Sequence, residues 1–353
     1  MLDFVYSASA IRVIFAPGGL GRIADEVAAL GIERALVLCT AGQRDLGEAA
    51  MALLGGRCAG LFDGARMHVP VEVARRACEY ATSLDADGVL AIGGGSTIGL
   101  AKAIALDMGL PIIAVPTTYA GSEMTPIYGL TEGGAKRTGR DARVLPRTVV
   151  YDADLTFGLP VALSATSGLN AIAHAAEGLY ARDTNPVLNL MAEEGIRALA
   201  TGLPRLAHAP RELAARSDCL YGAWLCGTVL GQAGMALHHK LCHVLGGSLD
   251  LPHADTHAVM LPHTVAYNAP AAPGAMLRIA RAIGRPEASV GLHELANELG
   301  APTALRDLGV AAADLERIAD LALANPYWNP RPLDREAIAG LLRRAWAGAP
   351  PEP

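Results

Sequence analysis

Short, continuous apolar runs separated by longer helical patterns are the feature that most constrains the fold of this chain. Four such runs, rich in Val, Ile and Leu, lie at 34–40, 88–95, 111–118 and 148–152. A strand that is apolar along its whole length is buried on both faces, as strands are in a parallel sheet covered by helices. The sequence therefore predicts an α/β domain with a largely parallel sheet over residues 1–156.

The second part of the chain, residues 157–353, follows a different pattern, because its apolar residues recur at helical spacing without a convincing strand between the helices. Glycine and proline lie at the joints between successive helices. The predicted helices cover residues 161–181, 186–201, 212–230, 235–245, 274–283, 291–299, 311–325 and 334–347. We expect an all-helical second domain.

Composition and charge exclude several classes of partner. At 353 residues, the chain is long enough for about two domains with their own cores. No apolar run reaches the roughly eighteen residues that cross a membrane. A net charge of −6 and the lack of a basic run argue against a nucleic-acid partner. The opening residues MLDFVYSASAIRV lack the basic start and apolar core of a secretory signal, so we expect a cytoplasmic protein.

Polar turns follow the predicted strands, at the edge of the sheet where open α/β folds bind ligands. The first is a run of glycines that opens a helix, where backbone N–H groups and the helix dipole favour a pyrophosphate. The second is PTTYAGSEMT, which adds hydroxyl groups. The standard GxGxxG fingerprint is absent. The predicted nucleotide-binding residues are Thr40, Gly93, Gly94, Gly95, Ser96, Thr117, Thr118 and Ser122.

Half of the ten histidines lie in one segment, HHKLCHVLGGSLDLPHADTH, at residues 238–257. Helical spacing would place His239 and His243 on one face of a helix. Gly246–Gly247 are predicted to end this helix, so that His253 returns to the same space from a loop. Such a density of histidine predicts a functional site. The alternative is a helix with solvated histidines followed by a polar loop.

Four motifs together resemble the iron-containing alcohol dehydrogenase superfamily: GGGS, PTTYAGSE, SGLNAIAHAAEGLY and HHKLCHVLGG, with a PH pair that ends ten residues after His243. The resemblance spans nearly the whole chain. It implies a Rossmann-like first domain and a helical catalytic domain, as in dehydroquinate synthase-like folds. Within the superfamily, TYAGSEMTPIYG, NAIAHAAEGLYA and LHHKLCHVLGGSLDLPHADTH resemble the maleylacetate reductases. This implies NAD(P)H-dependent reduction of the carbon–carbon double bond of maleylacetate to 3-oxoadipate in the degradation of aromatic compounds.

The superfamily binds its metal with one Asp and three His, and the matching positions here are Asn170, His174, His239 and His253. The Asn removes the only anionic ligand, and a neutral amide is a poorer ligand for a hard divalent cation. Metal binding is weakened rather than excluded, because zinc accepts three histidines. Asn170 could instead start a helix. A second departure is Gly99, where the superfamily usually has an Asp.

The resemblance suggests chemistry that does not need a metal. Hydride addition beta to the ketone of maleylacetate gives an enolate, whose charge hydrogen-bond donors can hold. We hypothesise that His174, His239 and His253, with Lys240 nearby in sequence, replace the metal. His243 is expected beside the nicotinamide. Either His243 or His253 is expected to protonate the enolate carbon, because imidazole suits this step, and the sequence does not choose between them.

The substrate implied by the resemblance is a dianion, so cationic and polar side chains should hold its carboxylates. Lys240 is the leading candidate, and its alternative interpretation is an exposed helix lysine. Tyr119 and Asn170 are further candidates for substrate binding. Lys102 matches a superfamily lysine, although the pattern alone is equally consistent with a surface residue.

Cofactor choice depends on the turn after the first predicted strand. Thr40 is followed by Ala41 and Gly42, so this turn has no carboxylate that could bind the 2′-hydroxyl of the adenosine ribose or repel a 2′-phosphate. We expect NADH to work and NADPH to be tolerated. Ala-rich surfaces in the first domain make a homodimer the expected assembly.

Other functions remain open on the sequence alone. The leading alternative is a metal-dependent alcohol or polyol dehydrogenase of the same superfamily. A lyase or cyclase related to dehydroquinate synthase would require a metal, so Asn170 disfavours it. A nucleotide-binding sensor without enzymatic activity would not need converging histidines.

Overall fold

The apolar runs of the first half form a parallel sheet. The computed structural model describes residues 4–133, 135–325 and 327–352. Its strands are β1 (Arg12–Phe15), β2 (Ala35–Leu38), β3 (Cys58–Phe62), β4 (Gly88–Gly93), β5 (Ile112–Pro116), β6 (Ile127–Glu132), β7 (Ala135–Arg140) and β8 (Thr148–Tyr151). Six of them form one sheet in the order β1-β8-β5-β4-β2-β3, with every neighbouring pair parallel, and β6 and β7 form a separate antiparallel hairpin.

Helices cover both faces of this sheet. They are α1 (Ile23–Ala29), α2 (Arg44–Leu54), α3 (Val71–Ser83) and α4 (Gly95–Met108). Leu36 and Val89 pack in one core with α3 and α4, whereas Val37 and Leu90 pack in a second core with α1 and α2. The central strands are apolar on every residue because side chains on both of their faces are buried. This confirms the predicted Rossmann-like α/β unit, which comprises residues 8–159.

The four predicted strands all form, but the sequence interpretation missed the two outer strands and the hairpin. β1 and β3 lie at the two edges of the sheet and are only partly buried. An edge strand does not need a continuous apolar run, because one side of it is open. The hairpin strands are likewise half-buried or exposed where described, so they lacked the apolar signal that identified the central strands.

The second unit begins at Pro160 and includes Phe4–Ser7. Its α-helices are α5 (Val161–Leu179), α6 (Pro186–His208), α7 (Leu213–Gln232), α8 (Leu237–Leu249), α9 (His253–Asn268), α10 (Pro273–Ile283), α11 (Ala288–Glu298), α12 (Leu315–Leu323) and α13 (Arg335–Ala347). This confirms the predicted helical part of the fold. Among the helices in the described ranges, none combines the length and the apolar character needed to cross a bilayer.

The histidine-rich segment departs from its predicted geometry in two places. Gly246 and Gly247 do not end α8, which continues to Leu249 and stops at Asp250 in the left-handed conformation, with φ of 53°. His253 is not on a loop but is the first residue of α9. Helix α9 escaped prediction because Pro262 lies inside it, and an interior proline usually indicates the end of a helix.

His263 on α9 makes the helical unit sensitive to acid. Its side chain is 2% exposed, and neither ring nitrogen has a hydrogen-bond partner among the described residues. Burial, with smaller contributions from His293 and Arg344, lowers the pKa of His263 from 6.5 to about 4. The unfolded chain therefore takes up this proton below pH 6.5, whereas the folded chain does so only near pH 4.

The neutral His263 imidazole therefore does not weaken the fold above its pKa in the unfolded chain. The free energy of unfolding falls as the pH drops from that value towards the pKa of His263 in the folded chain. Between about pH 7 and pH 5, the unfolding free energy of the wild type should fall by about 2 kcal/mol more than that of His263→Leu, which lacks the buried imidazole. Denaturant titrations of the wild type and the variant at both pH values measure this difference. His208→Leu, at an exposed histidine on α6, is the control and should leave the pH dependence unchanged.

Candidate active site

In the first unit, the predicted nucleotide-binding residues follow three adjacent strands. Thr40 lies two residues after β2, the Gly93–Ser96 turn joins β4 to α4, and the turn from Thr117 to Ser122 follows β5. These strands are neighbours in the order β5-β4-β2 and are parallel, so the turns lie along one edge of the sheet. The structure therefore brings the predicted residues of this unit together at the edge where such folds bind ligands.

Gly93 and Gly94 of this turn, and Gly99 within α4, are packed too closely to carry side chains. Gly93 has φ of 153°, and a Cβ atom there would lie 2.5 Å from Oγ1 of Thr97. A Cβ on Gly94 would lie 2.8 Å from Cγ2 of Thr118. At Gly99, a Cβ would lie 2.7 Å from Cγ2 of Val69. Val69 thus occupies the space that the Asp of the superfamily pattern would need, which gives a steric reason for the glycine.

Gln43 connects two of the turns and was missed by sequence reasoning. Its Nε2 donates to Oγ1 of Thr117 over 2.9 Å, and its Oε1 accepts from the hydroxyl of Thr40 over 3.4 Å. A polar residue in the short helical turn before α2 gives no sequence signal for such a contact, because the contact depends on the order of the strands. Gln43 therefore links the turn after β2 to the turn after β5 by hydrogen bonds.

Lys102 is not a surface residue, because its side chain is 1% exposed. Its Nζ donates to the carbonyl oxygens of Ser122, Thr125 and Ile127 at 2.6, 2.8 and 2.8 Å, and to Oγ1 of Thr125 at 3.0 Å. Burial lowers the pKa of Lys102 to about 7, while the carboxylate of Glu123 opposes this shift. Lys102 therefore ties α4, which begins at the glycine turn, to the turn after β5.

In the second unit, three helices bring six histidines together. His174 lies on α5, His238, His239 and His243 lie on α8, and His253 and His257 lie on α9. The ring centroids of His253 and His257 are 4.3 Å apart, those of His239 and His257 are 5.0 Å apart, and those of His174 and His239 are 5.0 Å apart. We call these six residues the histidine cluster. It contains all four histidines that the sequence singled out.

One hydrogen-bonded chain in the cluster starts at a buried carboxylate. Glu177 accepts from Nδ1 of His239 over 2.6 Å, which leaves Nε2 of His239 facing inwards. That Nε2 lies 2.8 Å from Nδ1 of His174, and one of these two nitrogens donates to the other. The chain orients both rings through a single anion, as carboxylates commonly orient imidazoles in functional sites.

A second chain in the cluster starts at a hydroxyl. Thr264 donates to the carbonyl of Met260 over 3.0 Å, so it accepts from Nδ1 of His238, which lies 3.0 Å away. Nε2 of His238 then accepts from Nδ1 of His257 over 2.9 Å, and Nε2 of His257 carries a lone pair. Burial, followed by the neighbouring histidines, lowers the pKa of both His238 and His257 well below the usual range, which keeps both rings neutral.

The two candidate proton donors differ from the rest of the cluster in exposure. His243 and His253 are exposed, whereas the other four rings are buried. The rings of His243 and His253 are stacked at 6.4 Å, and that of His243 lies 6.0 Å from that of His239. An exposed imidazole can exchange its proton with water, which a proton donor needs in order to turn over repeatedly.

The three predicted substrate-binding residues, Asn170, Lys240 and Tyr119, differ in burial and in their contacts. Asn170 lies inside α5 rather than at its start, and its buried Oδ1 has no hydrogen-bond partner among the described residues. Lys240 is half-buried, and its Nζ lies 5.8 Å from the centre of the Tyr327 ring. Tyr119, in the first unit, is completely buried.

Two histidines of the cluster and a neighbouring cysteine form a set of donors that could hold a soft metal. The donor atoms of His238, Cys242 and His257 all lie within 4.8 Å of one another. However, Nε2 of His238 already accepts from His257, and burial raises the pKa of the Cys242 thiol well above its usual range. Since metals bind the thiolate, the hydrogen-bonded arrangement is favoured here over a metal site.

Comparison with protein families identifies the class of protein. The model for iron-containing alcohol dehydrogenase matches residues 10–153, and that for the C-terminal part of the Fe-containing alcohol dehydrogenase family matches residues 164–346. Together they cover most of the chain, which therefore belongs to the iron-containing alcohol dehydrogenase family. It is an oxidoreductase.

Individual relatives are more specific. Maleylacetate reductase of Pseudomonas knackmussii is 56% identical over 99% of both chains. That of Burkholderia cepacia is 57% identical over 99% of this chain and the whole of the relative. The crystal structure of maleylacetate reductase from Agrobacterium tumefaciens superposes with a TM-score of 0.97 at 55% identity, covering 99% of this chain and 100% of that one.

Proposed function

We propose that this chain is a maleylacetate reductase, which uses NADH or NADPH to reduce the carbon–carbon double bond of maleylacetate to 3-oxoadipate. Relatives with this name match it over essentially their full length. The observation within the molecule that carries the proposal is the histidine cluster, whose rings are ordered by hydrogen bonds to one another. Such a cluster offers N–H donors to an oxyanion.

The residues do not fit the metal that the family name implies. At the four ligand positions the chain has a neutral amide and three imidazoles, so no anionic ligand remains. Nδ1 of His174 and Nε2 of His239 lie 2.8 Å apart and hydrogen bond directly, so one nitrogen of each ring is already paired. A neutral set of ligands, two of which already hydrogen bond to each other, favours a hydrogen-bonded arrangement over coordination of a divalent cation. The proposed reaction therefore involves no metal.

The nicotinamide cofactor supplies the hydride when bound. The carbon beta to the ketone accepts it, and the electrons of the double bond move to the ketone oxygen to form an enolate. Imidazole N–H groups of His174, through its Nε2, and of His253 hold this oxyanion, while His239, whose two ring nitrogens are paired with Glu177 and His174, orients His174. His243 or His253 then transfers a proton to the enolate carbon, which completes the reduction. Lys240, the half-buried cation of α8, pairs with a substrate carboxylate.

Cofactor binding is assigned to the sheet edge of the first unit. The glycine turn and the start of α4 would receive the pyrophosphate, because a helix of fourteen residues begins there and the glycines admit close approach. The turn after β2 holds Thr40 and Gln43 and no carboxylate, which supports use of both NADH and NADPH. Assembly as a homodimer and location in the cytoplasm stay predictions.

The experiment that tests the function follows NADH absorbance in the presence of maleylacetate and identifies the product by mass spectrometry. Consumption of NADH with formation of 3-oxoadipate is the expected result. Oxidation of alcohols or polyols by NAD⁺, without turnover of maleylacetate, would instead make the chain an alcohol dehydrogenase.

A further inference from the structure

Glu177 connects α5, which carries His174, with α8, which carries three histidines of the cluster. It lies on α5, three residues after His174, and its side chain is 1% exposed. Its Oε2 accepts from the backbone N–H of Ala236 over 3.0 Å, and its Oε1 accepts from the N–H of His238 over 2.9 Å. The N–H of His239 also points to Oε2, at 3.3 Å. These contacts place a carboxylate from α5 at the start of α8.

This carboxylate replaces the cap that α8 lacks in its own sequence. The N-cap residue of α8 is Ala236, which has no side-chain cap. The first N–H groups of a helix need acceptors, and an anion at the helix N-terminus is favoured by the helix dipole. Glu177 meets both needs from another helix, so it fixes where α8 begins relative to α5.

The same carboxylate also determines how the imidazole of His239 is presented. It accepts from Nδ1 of His239 over 2.6 Å, so that nitrogen carries a proton and Nε2 is directed to His174. A flipped ring, or one protonated only at Nε2, could not make both contacts. A single side chain thus controls the position of α8 and the orientation of His239.

We propose that Glu177 is a positioning residue for the reduction, which sets the geometry of His174 and His239 without touching the substrate. The inference rests on the proposed function. Loss of a carboxylate that orients a functional imidazole commonly costs about 10- to 100-fold in activity.

Glu177→Gln tests this inference, because glutamine keeps the size but places an NH₂ group where an acceptor is needed. We expect kcat for maleylacetate to fall by about 10- to 100-fold, with the KM for NADH unchanged. The matched control is Glu287→Gln, which alters the carboxylate that caps α11 through Ser289 and Val290. The control should lower the melting temperature but leave kcat unchanged.

A second measurement does not depend on how Glu177→Gln folds, because it reads the tautomer of His239 in the wild type. In ¹⁵N-histidine-labelled wild-type protein, the His239 signal, assigned by its loss in His239→Ala, should show a protonated Nδ1. Equal kcat in wild type and Glu177→Gln, or a His239 protonated only at Nε2, would overturn the inference. Failure of the wild type to reduce maleylacetate would contradict the proposed function instead, and the ¹⁵N signal would still decide whether Glu177 orients His239.

Discussion

Alanine in place of His243 is expected to lower kcat for maleylacetate by about 10²- to 10⁴-fold. His243 is exposed on α8 and lies 6.0 Å from the ring of His239, so it combines access to water with a place in the cluster. A proton donor in this position can be recharged from solvent after each turnover. Steady-state rates from NADH absorbance measure the loss.

Two further variants complete this test. His253→Ala removes the second exposed imidazole of the cluster and should also lower kcat, because His253 is assigned to the oxyanion. His208→Ala removes an exposed histidine at the end of α6 and should have no effect. Rescue of an alanine variant by imidazole in the buffer identifies the proton donor. Nearly full turnover in His243→Ala would remove that residue from the mechanism.

Alanine in place of His174 is expected to lower kcat by about 10²- to 10³-fold, the usual cost of losing one donor to an oxyanion. His174 lies one turn before Glu177 on α5 and is paired with His239 at 2.8 Å. The effect should fall on kcat more than on KM, because the enolate charge develops only during the reaction. Steady-state kinetics with varied maleylacetate separates the two constants.

The control for this variant is His293→Ala, at a partly buried histidine on α11. It removes an imidazole from the same unit but not from the cluster, so kcat should be unchanged. Equal kcat values for His174→Ala and His293→Ala would mean that His174 does not stabilise charge in the transition state.

The central strands were predictable because burial on both faces leaves a continuous apolar run, as in Val89–Ile92 of β4. The edge strands were not, since Arg12–Phe15 and Cys58–Phe62 are partly exposed and carry a weaker pattern. Helix α9 was not predicted because Pro262 lies inside it. An interior proline usually indicates a helix end, yet this helix continues through it.

Four cluster histidines were predictable from the motifs that contain them. The same segment contains His238 and His257, but their roles could not be predicted, because these depend on the contact between α8 and α9 and on Thr264 as an acceptor. Glu177 likewise lies in a motif that the sequence displays, yet its function comes from reaching the start of a helix far along the chain. Contacts between helices are set by packing, which no local pattern encodes.

Ordered imidazoles, rather than a metal, are proposed to stabilise the enolate. The most direct test mixes chelator-treated enzyme with maleylacetate and NADH, with and without added zinc or ferrous iron, and follows NADH absorbance. We expect full turnover without metal and no increase when metal is added. Turnover that appears only after metal addition would contradict the claim and restore a Lewis-acid mechanism.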